Sequence, residues 1–436
     1  MNMPNFKDVL QKLSVLKNNL SLLASIIIAV VGLLLFIPTQ LMSSKLKAQI
    51  EAESVRMGRQ IGRMDPVSRQ QREVEKVYQD AHVKDANEIA NLARQSTQRE
   101  VLSYGIFPEP QTSSTLLFEQ FGKRFRSGVD AMISNVNGLD RPSDSELQKS
   151  LQNATAGTGA RRGRSMIGAP SRLLYRSLGA RGGVNAEVLE QVCMERARTA
   201  RVYANPADVG GYAFWTEYKF DTGVDESVKE CWYWQLGYWI IEDVIATIGA
   251  CNSESDSVLE APVKRLLGVD FALKRRGMAS RSLGRRGAKR KKDDVKPAYV
   301  LSAKDGLTVP CTGRYTNEED NIDVVHFSTI AVVRADAVLK FTEELCSAKE
   351  HKFRGLSGTE PEQTFQHNQI TVLESDVRAV EEGPSHDYYR YGDDAVVELD
   401  LICEYIFNRE GYKDSIPKVV TDEVELLKQD TGPRRR

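Results

Sequence analysis

Residues that could do chemistry are few and scattered along this chain. Six cysteines, at 193, 231, 251, 311, 346 and 403, form no C-x-x-C pair, which argues against a zinc ribbon or a thioredoxin-type redox site. Five histidines occur without H-E-x-x-H or another metal-ligand spacing. No phosphate-binding or hydrolase motif stands in a strand-turn-helix context. The sequence therefore predicts a protein that is not an enzyme, with no catalytic residues, no cofactor and no metal ion.

Three residue types still need an interpretation. Asp393 and Asp394 are adjacent, so along a strand they would point to opposite faces, and we expect a turn rather than an acid/base pair. His326 lies in the middle of a predicted strand, where a hydrogen-bonded or exposed histidine is expected more often than a catalytic base. Cys403 and Cys346 are predicted to act as small hydrophobic residues, and a disulfide between them stays open.

A group of aromatic residues has helical spacing. They could form a binding face, but the continuous spacing favours a buried helix; they are Trp232, Tyr233, Trp234, Tyr238 and Trp239.

Two segments are basic and low in complexity: 157–183 and 274–296, the second with eleven Lys or Arg. Such segments bury too little apolar area to offset the entropy of ordering, so we predict flexible insertions. Their charge could hold a polyanion, namely nucleic acid, anionic lipid or an acidic envelope polymer, or it could simply be solvated. The predicted contacts are Arg275, Arg276, Arg281, Arg285, Arg286, Lys289, Arg290, Lys291 and Lys292.

The N-terminal region has a long run without charge. Between Lys17 and Lys45 the chain is largely apolar, and residues 20–42 have the length of a membrane-spanning helix. Lys7, Lys12 and Lys17 precede this run and favour a cytoplasmic N-terminus. The sequence predicts an uncleaved signal anchor, followed by a polar helical stalk over 43–100 that forms a helix pair or a coiled coil, or else serves as an amphipathic spacer.

The C-terminal half alternates helices and strands. A buried helix around 234–248 precedes a strand near 263–271, and β-rich runs follow at 324–333, 369–377 and 397–405. A helix with Val338, Phe341 and Leu345 on its apolar face lies between the runs at 324–333 and 369–377. The order predicts an α+β protein whose C-terminal domain is a ferredoxin-like (α-β-β)2 sandwich of four strands and two helices.

This order resembles that of a known family. The stretches that carry the resemblance are PCTGRYT at 310–316, DVVHF at 323–327, NQITVL at 368–373 and YYRYGDDAVV at 388–397. With the anchor and stalk, they are similar to the PilO-like inner-membrane alignment proteins of type IV pili and type II secretion systems. The resemblance implies a single-pass scaffold of the bacterial inner membrane with a periplasmic C-terminal domain, which dimerises with itself or with another stalked protein and contacts pilus or secretion platform proteins.

The predicted organisation follows from these patterns: a cytoplasmic tail, a transmembrane helix, a stalk, a mostly helical region, the ferredoxin-like domain and a tail, over 1–19, 20–42, 43–100, 101–220, 221–410 and 411–436. The predicted function is non-enzymatic scaffolding through pairing of the stalk and the ferredoxin-like domain. The alternative is a membrane-tethered polyanion-binding protein that acts through the basic insertions, although nucleic acid is an improbable ligand for a periplasmic domain.

Overall fold

The structure is a computed structural model of the 436-residue chain. It describes residues 20–62, 68–157, 184–272, 295–309, 313–319, 321–380 and 386–431. The chain divides into two compact units, Met1–Ala86 and Asn87–Arg436.

Two long helices come first. Helix α1 spans Leu20–Gly62 and helix α2 spans Arg69–Ser96, so the boundary between the units falls inside α2. Every residue of α2 from Arg69 to Gln95 is exposed. Arginine, glutamine, glutamate and alanine, which are good helix formers, fill much of α2, and Ser68 accepts a hydrogen bond from the Gln71 amide at its start (3.2 Å).

The predicted transmembrane helix over 20–42 is wrong. No helix within the described residues is long and apolar enough to cross a membrane. The apolar run is the first half of α1, which continues without interruption into a polar second half. The predictions that depend on this helix are therefore also wrong. They are the single-pass anchor and the inner-membrane location with a cytoplasmic N-terminus and a periplasmic domain.

The second unit is built on a mixed six-stranded sheet. Its strands are β1 Gly138–Leu139, β2 Val202–Tyr203, β3 Val263–Asp270, β4 Ile322–Arg334, β7 Ile370–Ala379 and β8 Val396–Asn408. Their order is β1-β2-β3-β4-β8-β7, with β1, β2 and β3 parallel and the remaining neighbours antiparallel. A separate hairpin pairs β5 Lys349–Phe353 with β6 Gln363–His367.

Helices make up the rest of the regular structure in this unit. They are α3 Thr115–Asn135, α4 Asp144–Gly157, α5 Val184–Thr199, α6 Tyr212–Glu217, α7 Val224–Cys251, α8 Val338–Leu345, α9 Arg409–Tyr412 and α10 Lys418–Thr431. Helix α7 is the centre of the core, because it is apolar nearly all round and packs against α3, α8, α10 and the sheet. The predicted aromatic helix is confirmed as core: Trp232 and Trp234 are fully buried and Trp239 is 2% exposed.

The aromatic residues of α7 pack against those of α3 and α6. The Trp234 ring lies 5.9 Å from the Phe125 ring and 5.6 Å from the Phe214 ring, centroid to centroid. Gly211, which precedes α6, has a left-handed φ of 86°, and a Cβ there would lie 2.6 Å from Trp234. Glycine therefore meets both the backbone requirement and the close approach at this turn.

The predicted fold class needs correction beyond the transmembrane helix. The chain is α+β, but the sheet has six strands rather than four and is mixed. Strands β1 and β2 come from the region predicted to be mostly helical, and each is only two residues long. Residues 418–431, assigned from the sequence to a C-terminal tail, form α10, whose Val420 and Val424 are buried against the core.

Candidate functional site: a buried charge cluster around Arg99

Arg99, three residues after the end of α2, points into the second unit. Its guanidinium donates two hydrogen bonds of 3.0 Å to the two carboxylate oxygens of Asp243 on α7. It also donates to Tyr405 Oη on β8 (2.8 Å) and to Glu242 on α7 (2.5 Å). His367 at the end of β6 completes what we call the Arg99 cluster, with Nε2 at 3.4 Å from Asp243 Oδ2. One buried site thus joins the segment after α2 to α7, β6 and β8.

The backbone beside Arg99 is held along the same face of α7. Trp239 Nε1 donates to the Glu100 carbonyl oxygen (2.8 Å), and the Leu102 amide donates to Gln235 Oε1 (2.7 Å). Residues 235, 239 and 243 are four apart, so they lie in one row on the helix. Segment 99–102 therefore runs along α7 with both side-chain and backbone bonds.

The cluster is closed to solvent. The side chains of Arg99, Asp243 and His367 are 3%, 4% and 1% exposed, and Tyr405 is fully buried. Burial alone would raise the pKa of Asp243, but Arg99 and then His367 offset this effect and hold the pKa below its usual range. The same burial, with the Asp243 charge beside it, raises the pKa of Tyr405 well above its usual value. The ion pair is therefore kept charged in a water-poor environment.

This arrangement is suited to holding structure rather than to turning over a substrate. A catalytic group must reach a substrate, whereas only Glu242 in this cluster has substantial exposure, at 44%. Among the described residues, no group of three or more His, Cys, Asp or Glu is placed to hold a metal ion. The geometry supports a rigid attachment of the segment that leaves α2.

The C-terminal end of α2 is attached by a second set of contacts. Thr97 Oγ1 donates to the Arg94 carbonyl oxygen (3.1 Å) and so satisfies one of the last carbonyls of the helix. Gly411 in α9 packs against Thr97 so closely that a Cβ there would collide with Thr97 Oγ1. Arg94 also lies 3.6 Å from Asp414, in an exposed ion pair of small energetic value.

His326, for which the sequence predicts a hydrogen-bonded or an exposed side chain, is hydrogen-bonded and buried. Its Nδ1 accepts a hydrogen bond from the Leu307 amide (3.1 Å), and 4% of the residue is exposed. Burial lowers the pKa of His326 to about 4. The imidazole is therefore neutral in the folded chain at neutral pH.

The buried state of His326 predicts a pH dependence of stability. Its folded pKa lies below the unfolded value, so this contribution is complete above pH ~6.5 and is lost as pH falls toward 4. A difference of this size corresponds to at most about 3 kcal/mol. Urea unfolding at a series of pH values should show a shallower fall between pH 6.5 and 4 for His326→Gln than for the wild type. Equal slopes for the two proteins would contradict this assignment.

The adjacent aspartates and the cysteines have structural surroundings. Asp393 and Asp394 lie in a bend before β8, and Asp394 accepts a hydrogen bond from the fully buried Lys264 Nζ (2.9 Å). Cys346 and Cys403 are free thiols in this structure, so the disulfide that was left open is not formed. Burial raises the pKa of Cys403 well above its usual value, which makes that thiol a poor nucleophile.

The predicted polyanion contacts, Arg275 to Lys292, lie outside the described residues. Polyanion binding by the basic insertions stays a prediction.

Sequence reasoning missed the Arg99 cluster, although one signal was available. Glu242 and Asp243 are two acids within the apolar stretch Trp239–Ile248, and a charge buried in such a helix requires a partner. The sequence could have predicted that a partner exists. It could not have identified Arg99, which is 144 positions from Asp243 and lies in a polar stretch without a motif.

Comparison with known proteins assigns this chain to no family. No family model and no curated protein matches it. A crystal structure from Akkermansia muciniphila aligns over 61% of this chain and 97% of that chain, with 9% identity and a TM-score of 0.23. A similarity this weak carries no argument about fold or function. The resemblance to pilus and secretion alignment proteins receives no support from these comparisons.

Proposed function

We propose that this protein is a non-enzymatic assembly protein that pairs through α2 with α2 of a second copy of the chain. The observation that carries this proposal is the apolar stripe on α2. The α2 stripe consists of Val74, Val77, Tyr78, Ala81, Ile89 and Leu92, and its five large side chains are 54%, 67%, 61%, 66% and 58% exposed.

An exposed helix of this kind needs a partner. Helices in proteins draw most of their stability from packing an amphipathic face, and isolated helices are marginal in water. Helix α2 has 28 residues, and all of its residues from Arg69 to Gln95 are exposed in the part of the chain that the structure describes. In a symmetric pair the same stripe is buried on both copies, as in coiled coils. Asp85 interrupts the stripe, and a polar position in such a seam selects one register at a cost in stability.

The edge of the sheet is a weaker candidate for a pairing surface than α2. Strand β7 is an edge strand whose paired neighbour in the described chain is β8. Its outer half contains Asp376 and Arg378, which bond to each other (2.6 Å) and are about half-exposed. Charged side chains on an edge strand discourage pairing with another chain. We therefore place the pairing surface on α2.

The Arg99 cluster gives this pairing a mechanical consequence. The segment that follows α2 is bonded to α7 and β8 rather than linked by a free loop. A partner bound at the C-terminal part of α2 is therefore held in a fixed relation to the α/β unit that contains the cluster. This is the property that a scaffold requires.

Charge placed in the stripe should separate the copies. The variant Val77→Lys/Leu92→Lys puts like charges into the seam, and we expect it to be a monomer where the wild type is a dimer, in light scattering coupled to size-exclusion chromatography. The matched control is Gln79→Lys/Ala90→Lys, which adds the same charge on the opposite side of α2 and should remain dimeric. A wild-type monomer at tens of micromolar concentration would contradict the proposal.

A further inference from the structure

Two buried histidines face each other on the β5–β6 hairpin. His351 lies on β5 and is 8% exposed, and His367 lies at the end of β6 and is 4% exposed. Their ring centroids are 5.0 Å apart, with an angle of 51° between the ring planes. Neither imidazole reaches solvent, so their polar atoms depend on partners inside the protein.

Each ring is held through its Nε2 atom. His351 Nε2 donates to the Gln98 carbonyl oxygen (2.8 Å). His367 Nε2 lies against the Asp243 carboxylate (3.4 Å), with Arg99 Nη1 at 3.3 Å. Each Nδ1, in contrast, is buried without a hydrogen-bond partner among the described residues. In the tautomer in which His367 Nε2 donates to Asp243, both histidines have one nitrogen bonded to a carbonyl or carboxylate oxygen and the other left for a ligand. This is the usual arrangement of a metal-binding histidine.

We propose that His351 Nδ1 and His367 Nδ1 together bind one divalent transition metal ion of the zinc class. Two imidazoles that share a zinc ion at about 2.0 Å and a tetrahedral angle have ring centroids roughly 5 Å apart. The observed separation matches that value. Imidazole nitrogen suits zinc, copper and nickel, and it does not suit calcium or magnesium.

The remaining positions on the metal ion need other donors. Gln369, two residues beyond His367, is 7% exposed, and neither polar atom of its side chain has a partner among the described residues. Its amide oxygen and water are the donors that we expect to complete the site. The proposed ligands thus include two histidines and no further His, Cys, Asp or Glu. The site is therefore not a metal centre with three ligands of these residue types.

The charges around the hairpin tolerate a cation. Arg99 is positive and lies close to His367, but both Asp243 and Glu242 bond to Arg99. Lys349 on β5 is also buried and interacts with Asp243, so two carboxylates are balanced by two cations and the surroundings of the site are close to neutral before a metal ion enters.

The test uses the full, tag-free chain after chelator treatment and equilibration with Zn²⁺. We expect one bound zinc ion per chain, with an X-ray absorption spectrum that shows imidazole ligands at about 2.0 Å. His351→Gln and His367→Gln should each weaken Zn²⁺ binding at least tenfold. His326→Gln is the matched control, because His326 is also buried and its Nε2 also lacks a partner among the described residues, and it should leave binding unchanged.

A second measurement covers the case in which a hairpin variant fails to fold. Zn²⁺ at a hundredfold excess over its Kd should raise the Tm of the wild type by several degrees, since it binds the folded chain. Absence of this shift, absence of bound zinc, or equal losses in His326→Gln and His367→Gln would overturn the proposal. The oligomeric state does not enter this test, so its outcome is independent of the pairing through α2.

Discussion

Replacing Arg99 with methionine is expected to lower the free energy of unfolding of the chain by about 3 to 5 kcal/mol, as for the loss of one partner of a buried ion pair. Methionine fills much of the same volume, so the loss reports the charge rather than a cavity. Asp243 would be left buried without the two 3.0 Å bonds that keep it ionised, and Tyr405 would lose one of its two hydrogen bonds in the cluster. Urea unfolding monitored by circular dichroism measures this difference.

The matched control is Arg378→Met on the edge strand. Arg378 also pairs with carboxylates, at 2.6 Å from Asp376 and 3.6 Å from Asp400, but its side chain is 49% exposed. An exposed pair contributes about 0 to 1 kcal/mol. If Arg99→Met and Arg378→Met cost the same, the claim that the Arg99 cluster is a buried attachment point would be refuted. The double variant Arg99→Met/Asp243→Leu should recover part of the loss, because it removes the unpaired charge.

Replacing Trp234 with alanine is the second large expected effect. Trp234 is fully buried, and it contacts Phe125 on α3, Phe214 on α6 and Phe271 beyond β3. Truncation of a core tryptophan to alanine costs about 3 to 5 kcal/mol, since it removes apolar contact and leaves a cavity. We expect a corresponding drop in the urea midpoint with little change in the slope of the transition.

Leu339→Ala provides the comparison for Trp234→Ala. Leu339 lies on α8 and is 82% exposed, so its truncation should change the free energy of unfolding by less than about 0.5 kcal/mol. Phe in place of Trp234 should cost less than alanine, because it keeps most of the ring contacts. A Trp234→Ala variant as stable as Leu339→Ala would show that α7 is not the centre of the core.

The predictable part of the fold is the part with strong periodicity. Val397, Leu399, Leu401 and Cys403 are two residues apart, and they lie on one face of the long strand β8. The helix around Trp234 and Ile241 is likewise present as α7. In β8 the burial of one face gives a period of two, and in α7 burial on nearly every side gives a continuous apolar stretch, so both patterns can be read from the sequence.

The parts that sequence reasoning missed depend on distant partners. Strands β1 and β2 have two residues each, which is too short for a period to show, and they exist because β3 offers an edge. The transmembrane prediction treated 20–42 as a separate element, whereas the structure continues this run into the polar half of α1. The candidate site is the extreme case, since the partners of Arg99 lie 143 to 306 positions away.

The central claim is that two copies of this chain pair through the α2 stripe, and cysteine cross-linking tests it most directly. Ala81 is close to the middle of the stripe, so in a symmetric pair it lies near its counterpart whichever way the helices run. We expect Ala81→Cys, treated with a short bis-maleimide, to give a covalent dimer. Gln79→Cys, on the other side of the helix, and the wild type should stay monomeric on a denaturing gel. Equal yields for Ala81→Cys and Gln79→Cys, or no dimer with either, would contradict the account.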